Sequence, residues 1–183
     1  MNMKFQQCVI PGVVLIEPDV FVDERGFLEV CNHRQLKNAG IKADFVQENF
    51  SRSQKNVLRG LHYQINYSQG KLVRVTRGEV FDVVVDLRRS SPTFGKWHSQ
   101  ILSEYNRQLL WVPEGCAHGY LTLSDISEFQ YSLTEEYFAG FERCLFYNDA
   151  ELAIDWPLPA GIQPILSPKD KAGKSLSQSQ VFS

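Results

Sequence analysis

Three stretches of this 183-residue chain concentrate titratable and polar side chains inside otherwise apolar, β-like sequence. Gln47-Glu48-Asn49 leads to Arg59-Gly60-Leu61-His62-Tyr63-Gln64, Gln69-Gly70-Lys71 follows, and Pro113-Glu114-Gly115-Cys116-Ala117-His118-Gly119 comes later. Strands that point Arg, His and Lys inward must satisfy them, because an unpaired buried polar group costs about 1–3 kcal/mol. A bound ligand is one way to do so. His62-Tyr63-Gln64 with Pro113-x-Gly115-x-x-His118 approaches the His-x-His and late-His spacing of a metal-binding β barrel, but the second position is Gln and no carboxylate follows at a useful place. Zinc and non-haem iron want three good protein ligands, so no metal is expected. An imidazole beside Arg59 and Lys71 then reads as a general base next to an electrophilic clamp. Neighbouring cations favour the neutral, basic ring and stabilise an oxyanion as the proton leaves. That chemistry is proton abstraction next to a carbonyl.

The elements that must position these groups are short. Runs rich in Val, Ile, Phe, Tyr and Thr, broken by Gly, Pro, Asn or Ser, predict an all-β sandwich or barrel with strands near 12–17, 27–31, 44–50, 57–64, 71–76, 79–87, 97–102, 107–112, 118–123, 127–133 and 143–147. In 79–87, Phe81, Val83, Val85 and Leu87 share one face while Val80, Asp82, Val84 and Asp86 share the other. This is the pattern of a strand between two packed layers, with the two aspartates as structural partners for buried Arg or His. Strict alternation sets Arg59 and His62 on opposite faces, so both reach one site only if the strand bulges or bends at Gly60. Helical pattern is confined to a turn or two at His33–Asn38 and a loose helix or tail over Lys169–Ser179, neither expected in the core, and the proline-rich 156–168 stretch reads as a surface loop. The whole of 1–183 is read as one domain, with a C-terminal tail from about 171.

Composition closes off other classes. Nineteen Lys and Arg against 21 Asp and Glu leave a formal charge of −2, and no aromatic stacking platform accompanies Arg74, Arg77 and Arg88, so nucleic acid is not an expected partner. The four cysteines form no Cys-x-x-Cys pair, and Cys116 and Cys144 read as buried free thiols of a reducing compartment. The N-terminal residues lack a signal-peptide pattern and no apolar run is long enough to span a bilayer, so the expectation is a soluble cytoplasmic protein with no membrane contact.

With these residues in view, the chain resembles the dTDP-4-dehydrorhamnose 3,5-epimerase family. The resemblance is carried in order, from about residue 12 to 172, by DERGFLE (23–29), FVQENFSRSQKNVLRGLHYQ (45–64), QGKLVRVTRGEVFDVVVDLRRSSPTFGKW (69–97), NRQLLWVPEGCAHGYLTLSD (106–125), EFQYS (128–132), then YND, DWP and LSPKD. It implies a dimeric cupin-type jelly roll that needs no metal and no cofactor and acts on a nucleotide sugar, dTDP-4-keto-6-deoxyhexose. Position by position, it implies that His62 is the base, that Asp170 orients its imidazole, that Lys71 and Arg59 steady the enolate oxygen, and that Tyr131 is the acid on the opposite face. Arg25, Glu29, Gln47, Glu48, Asn49, His118, Glu142 and Lys169 match positions that bind or frame the substrate, some of them across the dimer interface.

The chain departs from the family pattern at Cys116, Ser132, Glu136 and Tyr147. Glu136 stands where an aromatic that stacks on the nucleotide base is usual, which leaves the identity of the base open. Three alternatives stay open beside the double epimerase: inversion at C3 or C5 alone or on another nucleotide carrier, a non-catalytic nucleotide-sugar-binding cupin, and a metal-dependent cupin.

Overall fold

The computed structural model describes residues 3–183, and its architecture is all-β as expected. Strands β1 (Lys4–Gln7), β2 (Val14–Glu17), β5 (Gln47–Gln54), β7 (Lys71–Arg77), β10 (Leu109–Val112) and β12 (Ile126–Leu133) build a six-stranded antiparallel sheet in the order β1-β2-β10-β7-β12-β5. A second, five-stranded sheet runs β13-β6-β11-β8-β9, from β6 (Leu58–Gln64), β8 (Glu79–Asp86), β9 (Trp97–Ser103), β11 (Cys116–Thr122) and β13 (Glu142–Cys144). The remaining pair, β3 (Asp19–Asp23) and β4 (Gly26–Val30), forms a separate hairpin. Sequence pattern misses β1 and β3: β1 is a short, largely exposed polar edge, and β3 is solvent-exposed on nearly every residue, so neither carries a burial period.

The alternation in β8 does what its pattern predicts. Val80 and Val84 enter the core between the sheets with Val73, Val75, Leu110 and Phe129, while Val83, Val85 and Leu87 enter a second core on the outer face of the five-stranded sheet. Asp86 meets Arg88 Nε at 2.8 Å and Asp82 meets His118 Nε2 at 2.9 Å, so both aspartates are the structural partners that the sequence suggests. A third apolar cluster on the far side of the six-stranded sheet is closed by Leu36 of a 3₁₀ turn (His33–Ala39), where sequence reasoning expects no core residue.

The C-terminal segment also differs from expectation. It is not a loose tail. After the short helix α1 (Pro168–Lys171), Leu176 is buried in the outer core, the Phe182 amide donates to the Leu87 carbonyl at 3.0 Å, and the Tyr63 hydroxyl donates to the Gln180 carbonyl at 2.6 Å. The exposed apolar face of the five-stranded sheet has to be covered, and this segment, with Leu152, Ile154 and Trp156, covers it.

The bulge required at Gly60 is present. The β6–β11 register shifts between His118 and Tyr120, and Gly60 adopts φ +119° against Gly119. A Cβ on Gly60 would lie 2.7 Å from Gly119 Cα and from the His118 carbonyl, and one on Gly119 would lie 2.5 Å from the Arg59 carbonyl. Only two facing glycines allow this approach. Gly60→Ala and Gly119→Ala are each expected to lower the unfolding free energy by at least about 1–3 kcal/mol in urea titrations. Gly140→Ala, whose added Cβ meets nothing within 4 Å, should change it little; equal effects at all three positions would refute the account.

Candidate active site

A cavity of about 620 Å³ opens between the two sheets. The inward face of β5 prepares one wall: Gln47, Asn49, Ser51 and Ser53 recur at every second residue, while Glu48, Phe50, Arg52 and Gln54 point out. From β12 of the same sheet come Phe129 and Tyr131, and Lys71 begins β7. Across the cavity, β6 offers Arg59, His62 and Gln64, β11 offers His118, and β13 offers Glu142. Asp170 and Lys169 reach in from α1. The bulge at Gly60 turns Arg59 and His62 toward this one space, and Tyr120 stacks on Phe129 at 4.1 Å.

His62 Nε2 and Asp170 Oδ1 are 2.5 Å apart, joining residues 108 positions distant in the chain. Ser167-Pro168-Lys169-Asp170 folds locally for a clear reason: Ser167 caps α1 by accepting from the Asp170 amide at 3.1 Å, proline occupies the first turn, and the Ser167 hydroxyl donates to Asp170 Oδ2 at 2.8 Å. Burial works to raise the Asp170 carboxyl, but the hydrogen bonds from His62 and Ser167 outweigh it and hold the group below the usual aspartate value. An ionised Asp170 must receive a proton from Nε2, which leaves Nδ1 of a neutral His62 as the free acceptor.

Lys71 is buried, and its ammonium donates to the His62 carbonyl at 3.1 Å. Burial pushes it down to about 8, against the opposing pull of Glu142 and Asp82. At the rim, Glu142 accepts from Lys169 at 2.7 Å and from the Tyr137 hydroxyl at 2.7 Å. Burial opposes ionisation of Glu142, yet these two bonds keep its carboxyl below the ordinary value. Arg59 Nε donates to the Ser53 hydroxyl at 3.0 Å, which aims its guanidinium along the cavity wall.

Of the residues expected in the site, His62, Tyr131, Asp170, Lys71, Asn49, Arg59, His118, Glu142 and Lys169 line the cavity together. Gln47 stands just behind that lining, donating to Asn49 Oδ1 at 2.8 Å and accepting from the Tyr137 amide at 3.0 Å. Glu48 lies outside this lining, on the outward face of β5, within 3.4 Å of the Ser132 hydroxyl. Arg25 and Glu29 are also elsewhere, in the β3–β4 hairpin, where Arg25 pairs with Asp23 at 2.5 Å and Glu29 approaches Arg74 at 2.7 Å.

Tyr137, next to Glu136 in the chain, is the aromatic at this point of the cavity. Its ring lines the cavity, whereas Glu136 lies outside the lining and lends only its backbone carbonyl, to Gln64 and Gln69. Gln69, from one of the three polar stretches of the sequence, also lines the cavity, as does Ser51, which sequence reasoning missed; the alternating polar face of β5 is the available signal for Ser51. At the positions of the metal-barrel pattern, side-chain hydrogen bonds within the chain are found instead. Gln64 spends its amide on the Tyr67 and Glu136 carbonyls and the Phe138 amide, and His118 is engaged by Asp82.

A family model described as dTDP-4-dehydrorhamnose 3,5-epimerase matches residues 7–178. The chain belongs to this epimerase family. It is 52% identical over 182 residues to the dTDP-4-dehydrorhamnose 3,5-epimerase of Pseudomonas aeruginosa, covering 98% of this chain and 99% of that one. Among solved structures, a dTDP-6-deoxy-D-glucose-3,5-epimerase from Legionella pneumophila in complex with dTDP-4-keto-L-rhamnose superposes with a TM-score of 0.93 at 48% identity, covering 98% of this chain and 95% of that one. A 3′-monoepimerase from Streptomyces bikiniensis in complex with dTDP-quinovose is more distant, with a TM-score of 0.85 at 29% identity over 93% of this chain and 86% of that one. The fold is thus the cupin-type fold of the epimerase family. No helix among the described residues is long and apolar enough to cross a membrane.

Lys71 gives this epimerase-family site a measurable pH signature. Its folded-state value near 8 lies below the unfolded value of 10.5, so between these values the unfolded chain binds more protons and stability rises with pH. Lys71→Met is therefore expected to be more stable than wild type at pH 7, by up to about 3 kcal/mol, with the difference closing from pH 8 to 10.5. Urea titrations across that range check it, and a pH-independent difference would contradict the buried ammonium.

Proposed function

We propose that this chain inverts C3 and C5 of dTDP-4-dehydro-6-deoxyglucose, giving dTDP-4-dehydrorhamnose, by deprotonation and reprotonation beside the C4 ketone. The observation that carries the reading is the arrangement of one cavity: the His62–Asp170 pair on the wall of the five-stranded sheet, Tyr131 on the wall of the six-stranded sheet, and Lys71 buried between them. His62 Nδ1 takes the proton from carbon, and the electron pair moves onto the C4 oxygen as an enolate. Lys71 holds that oxygen. Tyr131 returns a proton from the opposite face, inverting the centre, and both residues then exchange their protons with solvent. A well-placed base contributes about 10²–10⁴-fold, while enzymatic acceleration begins near about 10⁶. Oxyanion stabilisation has to supply much of the difference, at about 3–4 kcal/mol for one well-aimed donor.

Buried Lys71 suits the enolate. Arg59, at the more exposed wall, suits the diphosphate, to which a guanidinium offers paired donors. Tyr137 is placed to stack on the thymine, which supports thymidine as the carrier despite Glu136. Four free thiols are consistent with a cytoplasmic setting.

Conversion in D₂O checks the reaction: deuterium is expected at both C3 and C5. Deuterium at one carbon alone would assign single-centre inversion, the reaction of the Streptomyces bikiniensis relative's class, and none at either would remove the epimerase reading. His62→Asn should lose exchange at both carbons with dTDP affinity near wild type. Tyr131→Phe should keep proton loss better than completed inversion; equal loss of both would deny Tyr131 the role of acid.

The working unit in this proposal is a homodimer. The β3–β4 hairpin exposes Phe21, Val22, Phe27 and Leu28, with Val22 76% and Leu28 63% accessible, which a single copy leaves in water. Arg25 and Glu29, absent from their own cavity, sit on this hairpin and would serve a second copy's site. Phe21→Asp with Leu28→Asp is expected to reduce the light-scattering mass to the 21.0 kDa of one chain and to weaken dTDP binding at least tenfold. A wild type that already scatters as one chain would overturn the dimer.

A further inference from the structure

The proposed mechanism leaves Cys144 without a task, although it is the thiol beside the base. Cys144 of β13 is the register partner of His62 on β6. Its Sγ lies 3.8 Å from Asp170 Oδ1, the same oxygen that lies 2.5 Å from His62 Nε2. One nitrogen, one sulfur and one carboxylate oxygen, from three separate elements, thus sit within 4.8 Å of one another, and this is the one such His, Cys, Asp or Glu trio among the described residues.

We propose that His62, Cys144 and Asp170 bind a thiophilic divalent cation of the zinc class, and that the bound cation switches the base off. Zinc takes sulfur, imidazole nitrogen and carboxylate oxygen in a tetrahedron with bonds of about 2.0–2.3 Å, which sets the ligand atoms about 3.3–3.6 Å apart. The sulfur–oxygen separation is near that already. The His62–Asp170 pair has to open by less than about 1 Å, and the His62 side chain, 26% accessible at the cavity wall, has room to swing. His62 and Asp170 line the cavity that would admit the ion, and Cys144 lines the adjoining pocket, which shares Glu142 and Lys169 with it.

The charges also balance. A divalent cation with one thiolate and one carboxylate is neutral, which a partly buried site tolerates best. Among the nearby charges, Lys169 is neutralised by Glu142 at 2.7 Å, and Lys71 is directed to the His62 carbonyl rather than to the ring. On binding, the Cys144 S–H bond breaks, its proton goes to solvent and the sulfur bonds to the metal. The metal takes the His62 Nε2 lone pair, so the proton of the neutral ring moves to Nδ1. The nitrogen that faces substrate is then an N–H with no lone pair to accept a proton from carbon. The three ligands include the base itself, so the cation is an inhibitor and not a cofactor.

The inhibitory half of this inference rests on the reading of His62 as base; the binding half does not. Titrating the purified full chain with cadmium and following the ultraviolet thiolate-to-metal band is expected to show one tight equivalent in wild type and in Cys31→Ser, and at least tenfold weaker binding in Cys144→Ser and Cys144→Ala. Zinc is expected to inhibit turnover reversibly, with release by EDTA. The inhibition constant should rise at least tenfold in both Cys144 variants, each measured against its own metal-free rate. Equal cadmium affinity in the Cys144 variants, or zinc inhibition that ignores Cys144, overturns the site. A chain without turnover that still shows the Cys144-dependent band defeats the epimerase reading and leaves the metal site standing.

Discussion

The hydrogen bond between His62 and Asp170 is the constraint that organises the rest of the molecule. A carboxylate buried to this degree is tolerated only with several donors, and Asp170 has the imidazole, the Ser167 hydroxyl and neighbouring backbone around it. Those donors come from opposite ends of the sequence. They meet because the C-terminal segment lies over the outer apolar face of the five-stranded sheet, pinned by Leu176 and by the Phe182 and Gln180 backbone. Burying apolar surface outside the sandwich is thus what delivers the orienting carboxylate to the site inside it.

The second organising feature is that the two sheets divide the chemistry. Everything suited to removing a proton stands on or beside the five-stranded sheet, whereas Tyr131 stands on the six-stranded one. Inversion needs groups on opposite faces of one carbon, and a sandwich with ligand space between its layers supplies them without any loop having to move. Lys71 begins a strand of the six-stranded sheet but donates to a carbonyl of the other, so the group suited to the enolate oxygen sits where the layers meet. Its lowered proton affinity is the cost of placing a cation there before substrate arrives.

Much of this was legible in the sequence where local pattern and burial coincide. The two-faced alternation of β8 marks its place between layers, and Asp82 and Asp86 have partners of the suggested kind, a buried imidazole for Asp82 and a half-buried guanidinium for Asp86. The conflict between Arg59 and His62 under strict alternation points to a bulge at Gly60, where the β6–β11 register shifts. What was not legible depends on distance along the chain or on a second body. By local pattern Asp170 is a loop residue, and only the family resemblance points to its contact 108 positions away, while the tail beyond 171 has too weak an apolar period to announce that it covers a sheet. Motif spacing does not say which face a strand residue takes, and the alternation of β5 sets Glu48 outside the cavity of its own chain. Arg25 and Glu29 lie outside the cavity of their own chain for the other reason: a hairpin outside both sheets has no local pattern to tell whose cavity it serves.

One base and two centres impose a further geometric requirement on this fold. C3 and C5 flank C4 within the hexose ring, so in the proposed mechanism a single Nδ1 held by Asp170 serves the two centres by a reseating of the ring between the two events. The ketone oxygen is the natural pivot, because Lys71 is fixed by burial and by the His62 carbonyl while the sugar is not. A cavity of about 620 Å³ leaves room for such a turn around a nucleotide held elsewhere. The relative described as a 3′-monoepimerase keeps the same fold at 29% identity, so the architecture alone does not dictate how many centres invert. In the proposed mechanism the number is then a matter of which ring orientations the walls accept, and Tyr131, Leu133 and Phe129 of the six-stranded sheet form the wall that would sort them.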